Sequence, residues 1–290
     1  MLANKFISFI VSLLVISFCR VAKAQADSEI YWPYFNIPPL SISHEDGRFT
    51  GIGPELGTLL QAQMPEYGHR IIAASPLKIF QSVREGRHWI LTGVLKNPIR
   101  EKSLYYSELP CRMTWTILAV LRKGDRKYLT SKDLFRAEAA LRDPKYRFGY
   151  VKGIDYGDLD SLVFNHVHSQ ALSFSSNDFE KLMELLTLKR IDFFFAGPLI
   201  ADFILKDSKF SEQIEIVSCL EVPINPIYGY YAVPRTDWGR KVIAEIDSAL
   251  ESVIRSGEHK KLLQRWTPQQ FREFFERDYK AGFEDPLVED

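Results

Sequence analysis

Short apolar runs alternate with amphipathic segments along most of this chain, and this alternation limits the folds open to it. The apolar runs are predicted to be buried strands: Glu29 to Trp32, Arg70 to Ala74, Trp89 to Val94, Trp115 to Leu121, Arg147 to Val151 and Ile191 to Phe195. The segments between them are predicted to be helices: Pro54 to Met64, Leu77 to Glu85, Asp155 to Val167, Asn177 to Leu188 and Pro198 to Leu205. Strands that alternate with helices favour an α/β fold with largely parallel sheets.

The C-terminal region has apolar residues at helical spacing. They are Val242, Ile243, Ile246, Ala249, Leu250, Val253 and Ile254. The pattern stops at Ser256-Gly257, and glycine commonly ends a helix. A second helix is predicted through Leu262, Leu263 and Trp266. From Lys280 onward the chain is polar, and we expect this tail to be mobile.

Residues 1–24 have the composition of a secretory signal peptide. Lys5 precedes an apolar run from Phe6 to Cys19, and an Ala-x-Ala cleavage sequence ends at Ala24. The apolar run is too short for a membrane anchor, which needs about 20 such residues. The sequence therefore predicts cleavage before Gln25 and a mature protein in the periplasm.

Charge and cysteine content limit the classes of function. The chain has 37 basic and 37 acidic residues and no basic run, so no nucleic-acid-binding surface is predicted. After signal cleavage the remaining cysteines would be Cys111 and Cys219. A disulfide between them would suit an oxidising compartment, with two free thiols as the alternative. Their spacing has no zinc signature, and no cofactor is predicted.

Two extended stretches suggest that the chain crosses between two lobes. One begins after Tyr106 to Pro110, and the other, Ile227 to Val233, follows Val222 to Pro226. If the chain leaves one lobe at the first stretch and returns near the second, lobe 1 contains residues 25–110 plus 225–290. Lobe 2 then contains residues 111–224.

The order of several segments resembles that of a known family. The segments are GRFTGIGPELGTLLQ, GVLKNPIREKSLYYSELP, RFGYVKGIDYG and KRIDFFFAGPLIADFIL, followed by the stretch from Tyr228 to Trp266. Together they resemble the extracellular solute-binding proteins of family 3 over residues 28–266. The resemblance is closer to a less characterised branch than to the well-known amino-acid receptors.

This resemblance implies a two-lobed periplasmic-binding-protein fold of type II. Mixed sheets flanked by helices would form the lobes, and two crossing strands would form a hinge between them. A small molecule would bind in the cleft, and an inner-membrane ABC permease or a receptor would be the protein partner. The family also implies a monomer without a cofactor.

Within that resemblance, Arg100 is the expected anchor for a ligand carboxylate. A guanidinium group donates two parallel hydrogen bonds to the two carboxylate oxygens. The alternative is a solvated arginine, or one paired with Glu101 or Glu108. Three further contacts are expected from the same lobe: Gly93, Leu95 and Lys96.

Lobe 2 is expected to contribute a turn between a strand and a helix: Lys152, Gly153 and Ile154. Free N–H groups at a helix start bind anions, and glycine allows close approach, although a plain turn is the alternative. Aromatic side chains are expected to pack against the apolar part of a ligand. The candidates are Tyr34, Phe35 and Trp115, each of which could instead belong to the core.

One departure from the family pattern concerns the class of ligand. Amino-acid receptors of this family typically end the strand IDFFFAGP with an aspartate that pairs with the ligand ammonium, and this chain has Gly197 there. Asp192 and Asp202 lie nearby in sequence, but neither obviously replaces it. The resemblance therefore implies a small carboxylate-bearing ligand, amino-acid-like or an organic acid, for an ABC importer.

Two other functions remain open. A soluble sensor subunit would share the closing clamp and differ in its membrane partner. A periplasmic enzyme on this scaffold, similar to cyclohexadienyl dehydratases, would need a general acid, for which Glu55, Asp155 and Asp158 are candidates. These acids are more simply helix-start residues, and no hydrolase, zinc-protease or P-loop motif is present. The sequence therefore favours a receptor over an enzyme.

Overall fold

The computed structural model of the protein describes residues 29–151, 156–159, 161–163, 174–176, 179–206 and 210–288. The predicted signal segment, residues 1–24, lies outside these ranges. The strands are β1 (Glu29–Tyr34), β2 (Ile42–Ser43), β3 (Phe49–Thr50), β4 (Gly68–Ala73), β5 (Leu91–Val94), β6 (Leu104–Tyr106), β7 (Arg112–Trp115), β8 (Leu118–Arg122), β9 (Phe148–Val151), β10 (Phe174–Ser176), β11 (Phe193–Ala196), β12 (Ile214–Ser218) and β13 (Pro226–Pro234). The helices are α1 (Ile52–Gln61), α2 (Pro76–Arg84), α3 (Ala137–Arg142), α4 (Phe179–Thr187), α5 (Pro198–Lys206), α6 (Asp237–Arg255), α7 (Glu258–Trp266) and α8 (Arg272–Tyr279).

Two larger sheets organise the molecule. The hinge sheet has the order β5-β13-β6, β7 also pairs with β13, and all of these pairs are antiparallel. The second sheet has the order β10-β9-β11-β8-β12, in which β9 is parallel to its neighbours and β8 is antiparallel to β11 and β12. Strands β1 and β4 form a separate parallel pair. The mixed sheets implied by the resemblance are confirmed, whereas the prediction of largely parallel sheets is wrong for β8, β12 and the hinge sheet.

The passage from the hinge sheet to the second sheet breaks an apolar run. The sequence predicts one strand from Trp115 to Leu121, but β7 ends at Trp115 and β8 begins at Leu118. Between them, the Thr116 N–H donates to the carbonyl oxygen of Asn225 at 3.0 Å, and its hydroxyl donates to that of Pro223 at 2.8 Å. The break depends on these distant partners, so the local apolar pattern carries no signal for it.

Alternate residues of β11 face opposite cores. Phe193 and Phe195 pack into a cluster with α3 on one side of the second sheet. Phe194 and Ala196 pack against α4 and α5 on the other side. Because successive side chains of a strand point to opposite faces, an entirely apolar strand is buried on both. This packing fixes the carboxyl end of β11, where Gly197 follows.

Helix α6 is confirmed with the apolar face that the sequence predicts. The Thr236 hydroxyl caps it by accepting a hydrogen bond from the N–H of Gly239 at 3.1 Å. All of the apolar positions from Val242 to Ile254 that recur at helical spacing are buried. The helix stops before Gly257, whose φ of 77° is readily adopted only by glycine.

The segment after α7 folds back onto the hinge strands. The indole N–H of Trp115 donates to a carboxylate oxygen of Asp278 at 2.7 Å, and the Trp115 ring stacks on Phe271 with centroids 4.8 Å apart. The Tyr228 hydroxyl donates to the Asp278 carbonyl oxygen at 2.8 Å. Residues from Lys280 onward form helical turns and include the fully buried Phe283, so the expectation of a mobile tail from Lys280 is wrong up to residue 288.

Cys111 and Cys219 are both buried and both free. Cys111 belongs to the cluster under the hinge sheet, and Cys219 belongs to a cluster on the second sheet. The disulfide considered from the sequence is therefore not formed, because the two cysteines belong to different cores. Burial raises the pKa of each thiol to about 12.

In the described part of the chain, no helix combines the length and the apolar character needed to cross a membrane.

Candidate functional site

A cavity of about 250 Å³ lies where the hinge sheet, the end of β1 and the carboxyl end of β11 meet. Its apolar lining includes Pro33, Phe35, Ile37, Leu40, Ile79, Phe80, Leu91, Val94, Leu95, Trp115, Ile117, Phe179, Phe195, Leu199, Ile200 and Ile227. The polar side chains among its described lining residues are Tyr34, Ser41, Thr92, Arg100, Arg112, Thr114 and Tyr156. Among the lining residues that the structure describes, there is no aspartate, glutamate, histidine or lysine.

Arg100 lines this cavity, as the sequence predicts for a ligand anchor. Its backbone N–H donates to the side-chain oxygen of Asn97 at 2.8 Å, which fixes the turn before it. One guanidinium nitrogen donates to the Leu95 carbonyl oxygen at 3.3 Å, and the group lies 5.0 Å from the centroid of the Phe80 ring. The side chain is therefore held at the cavity wall by backbone and aromatic contacts.

The other predicted contacts from the end of β5 differ in their placement. Gly93 and Leu95 line the cavity. The Gly93 carbonyl oxygen already accepts hydrogen bonds from Arg112. The Leu95 carbonyl oxygen already accepts hydrogen bonds from Arg100 and Tyr106. Lys96 is exposed and does not line the cavity. Its ammonium lies 3.7 Å from the centroid of the Tyr230 ring, and partial desolvation by neighbouring groups lowers the pKa of Lys96.

The three predicted aromatic residues all line the cavity. Tyr34 is buried, donates its hydroxyl to the Gly53 carbonyl oxygen at 3.2 Å, and has its pKa raised by burial. Trp115 is also buried, with its indole N–H directed to Asp278, so it belongs to the core as well as to the cavity wall. Phe35 is half-buried.

On the second sheet, Gly197 lines the cavity immediately after β11. A Cβ built there would meet no atom within 4 Å, so packing does not exclude a side chain at this position. Glycine here leaves the cavity wall without the carboxylate that the family pattern would place there. Lys152, Gly153 and Ile154 lie outside the described residues.

The acids considered from the sequence are used elsewhere. Glu55 accepts hydrogen bonds from Arg265 and from the indole N–H of Trp266, and so joins α1 to α7. Asp192 accepts hydrogen bonds from Arg122 and Arg147 at the edge of the second sheet, and their contacts outweigh burial and lower its pKa. Asp202 pairs with Lys206 within α5. Asp155 and the side chain of Asp158 are not described.

Arg112 is one cavity residue that the sequence did not predict. Its side chain passes over Gly229 of β13 to reach β5, where its Nε and Nη2 donate to the Gly93 carbonyl oxygen at 3.1 and 2.8 Å. It is half-buried, and burial lowers the pKa of its guanidinium. In the sequence, Arg112 stands next to the stretch where the chain is predicted to leave lobe 1. Only the pairing of β7 with β13 shows that its side chain lines the cavity.

Ser41 is a second missed residue. It is only 4% exposed, lines the cavity, and its hydroxyl makes no hydrogen bond within the described structure. A buried hydroxyl without a partner costs about 1–3 kcal/mol. A polar ligand in the cavity would supply that partner.

A sequence profile of the bacterial extracellular solute-binding proteins, family 3, matches residues 35–269. The chain belongs to this family. The match runs from the end of β1 through α7, and so includes both sheets and the cavity between them. Family 3 proteins bind small-molecule ligands and work with ABC transporter permeases.

Solved structures show the same two-lobed fold as this solute-binding protein. EhuB in complex with hydroxyectoine is 17% identical, with a TM-score of 0.68 over 84% of this chain and 90% of that one. The substrate-binding protein of an amino acid ABC transporter is 13% identical, with a TM-score of 0.62 over 83% and 100%. An ancestral amino-acid-binding protein, a precursor of cyclohexadienyl dehydratase, is 13% identical, with a TM-score of 0.66 over 87% and 100%. No curated protein matches this solute-binding protein in sequence.

Proposed function

We propose that this protein is a periplasmic receptor that traps a small carboxylate-bearing ligand, amino-acid-like or an organic acid, for an ABC importer. One observation carries the proposal: the only charged side chains among the described lining residues belong to two arginines, Arg100 and Arg112. A carboxylate complements the positive charge of the described part of this wall, and guanidinium groups bind it through paired hydrogen bonds. The cavity volume of about 250 Å³ lies just below the range of about 300–1,000 Å³ for ligand pockets, which favours a small molecule.

We assign residues 25–110 plus 225–290 to lobe 1 and residues 111–224 to lobe 2. Strands β8 to β12 support this division because they form one sheet, and β13 supports it because it returns to β5 and β6. Strand β7 is an exception to this division: its residues belong to lobe 2 by number, but the strand pairs with β13 in the hinge sheet. We place the hinge at the break around Thr116 and in the extended stretch before β13. Closure there would bring Gly197 and the β5 end onto the ligand.

Several features support a receptor working outside the cytoplasm. Family 3 members are periplasmic or extracellular proteins, and residues 1–24 have the composition of a cleavable signal. We assign an inner-membrane ABC permease as the partner of a monomeric receptor. Turnover of the ligand is not part of the proposal, because the described cavity wall offers no carboxyl or imidazole group as a general acid or base.

The proposal is tested by a thermal-shift screen of the protein exported with its own N-terminal segment and purified from the periplasm. Amino acids, simple carboxylates, polyamines, oligopeptides and sugars form the panel. A ligand at 100 times its Kd adds about 2.7 kcal/mol to the free energy of unfolding, which gives a clear shift. Stabilisation by carboxylates supports the proposal, and stabilisation confined to sugars or polyamines contradicts it.

The role of Arg100 is tested with a matched pair of variants. Arg100→Met should abolish the response to carboxylates while the protein without ligand keeps its Tm. Arg48→Met is the control, because Arg48 is 73% exposed and pairs with Asp46 on the surface. Unchanged carboxylate affinity in the Arg100 variant would remove it as the anchor.

A further inference from the structure

Arg112 is a second cation of the cavity, separate from the proposed Arg100 anchor. It lies on β7 directly opposite Gly229 of β13. Its side chain crosses β13 and reaches β5, where two of its nitrogens donate to the Gly93 carbonyl oxygen. The guanidinium is therefore fixed at the cavity wall by three strands of the hinge sheet.

Two glycines leave the space that Arg112 occupies. A Cβ at Gly229 would lie 2.8 Å from the Arg112 Nε and 2.7 Å from the Gly93 carbonyl oxygen. A Cβ at Gly93 would overlap the same guanidinium stem. Gly93 also has a φ of 75°, which other residues rarely adopt. A side chain at either position would displace the guanidinium, so the backbone is built around Arg112.

Most of the hydrogen-bonding capacity of Arg112 remains unused within the described structure. A guanidinium group has five N–H donors, and the Gly93 carbonyl oxygen accepts from two of them. Across residues 29–151 and the later described ranges, Arg112 has no carboxylate partner. Other partly buried arginines differ: Arg122 and Arg147 both pair with Asp192 at 2.8 and 2.9 Å.

The surroundings of Arg112 favour an anion. The neighbouring cavity wall is largely apolar, and desolvation by that wall lowers the pKa of the guanidinium. A desolvated charge without a counter-charge is costly, and a bound anion removes that cost. Arg112 is therefore placed as the cationic partner of an ion pair, and an anionic group of a ligand would be its counter-charge.

We propose that Arg112 binds a second anionic group of the ligand, which makes small dicarboxylates the ligand class. The inference rests on the proposed function, in which Arg100 binds the first carboxylate. Trp115 and Ile227, which line the same cavity, would contact the hydrocarbon linker between the two carboxylates. The glycine at position 197 fits a ligand without an ammonium group.

The test compares matched ligands in the unaltered protein by isothermal titration calorimetry. The probes are the straight-chain dicarboxylates from butanedioate to heptanedioate, each against the monocarboxylate of the same chain length. A second charge-assisted contact should make at least one dicarboxylate tenfold tighter or more than its monocarboxylate. If no dicarboxylate binds tighter than its matched monocarboxylate, the inference is overturned and the proposed function stands. If none of these acids binds, the inference is overturned, and the thermal-shift screen, which also contains amino acids, decides the proposed function.

Variants then locate the second contact. Arg112→Met should weaken the best dicarboxylate at least tenfold and leave its monocarboxylate within threefold, whereas Arg100→Met should weaken both. Arg48→Met should change neither. An equal loss of both ligands in Arg112→Met would show that Arg112 only supports the cavity wall and would overturn the inference. Should that variant fail to fold, the comparison in the unaltered protein still decides.

Discussion

Replacing Gly197 by aspartate should make this solute-binding protein prefer ligands that carry an ammonium group beside the carboxylate. A Cβ at this position meets nothing within 4 Å, and Gly197 does not have a positive φ, so the new side chain has room and an ordinary backbone. Substitution of glycine at such a position is neutral or stabilising by about 0.4–1 kcal/mol. The variant is therefore expected to fold.

The size of the gain follows from two opposing contributions. A hydrogen bond between the new carboxylate and a ligand ammonium contributes about 1.5–3 kcal/mol. Partial desolvation of the carboxylate beside Phe195 and Leu199 offsets some of this, although Gly197 is only half-buried. We expect a net gain of about 1–2 kcal/mol, which corresponds to roughly 5–30-fold in Kd.

The assay is calorimetry with paired ligands that differ only in the amino group: alanine and propanoate, leucine and 4-methylpentanoate, phenylalanine and 3-phenylpropanoate. Gly197→Asp should improve the binding of at least one amino acid relative to its partner, and Gly197→Asn, which has the same shape without the charge, should not. A folded Gly197→Asp protein with no gain for any amino acid would refute the idea that this position sets the requirement for an ammonium group.

Three further perturbations follow from contacts described above. Asp192→Ala should lower the free energy of unfolding in urea by about 3 kcal/mol, because it removes the carboxylate that pairs with half-buried Arg147 and leaves Arg122 with the more distant Asp125 alone as a carboxylate partner in the described structure. A loss below about 1 kcal/mol would contradict this. Gly93→Ala should cost about 2 kcal/mol through its φ and should weaken any ligand held by Arg112, as calorimetry would show; unchanged affinity would contradict it. Burial lowers the pKa of His259 from about 6.5 to about 4. Because the unfolded chain then binds a proton more readily than the folded protein, the free energy of unfolding should fall by up to about 3 kcal/mol as the pH drops from 6.5 to 4. Urea titrations between pH 6.5 and pH 4 should show that the free energy of unfolding falls less steeply with pH in His259→Gln than in the unaltered protein. Equal pH dependence in the two proteins would contradict the role of His259.

Elements whose signals are local could be predicted from the sequence. Helix α6 has a threonine cap, a continuous apolar stripe and a terminal glycine, and all three lie within the helix or next to it. Arg100 was predicted to line the cavity because its segment, GVLKNPIR, carries the family resemblance in one stretch. In both cases the residues that decide the structure are neighbours along the chain.

Features that depend on distant residues could not be predicted. Arg112 reaches the cavity wall because Gly93 and Gly229, far apart in sequence, leave space on neighbouring strands. The break at Thr116 needs partners at Pro223 and Asn225. The tail from Lys280 onward was expected to be mobile because it is polar, and only the packing of Phe283 against Tyr228 of β13 shows that it is anchored. The alternation of strands and helices likewise does not encode which strands run antiparallel.

The position of the segment after α7 has a consequence for the order in which the protein can fold. Phe271, Asp278 and Phe283 follow every strand along the chain, so they are synthesised after both sheets. Until they arrive, the ring of Trp115 lacks its stacking partner and its indole N–H lacks its acceptor. The back of the hinge sheet therefore stays uncovered until these last turns pack onto it, and the strands that line the cavity gain this support last.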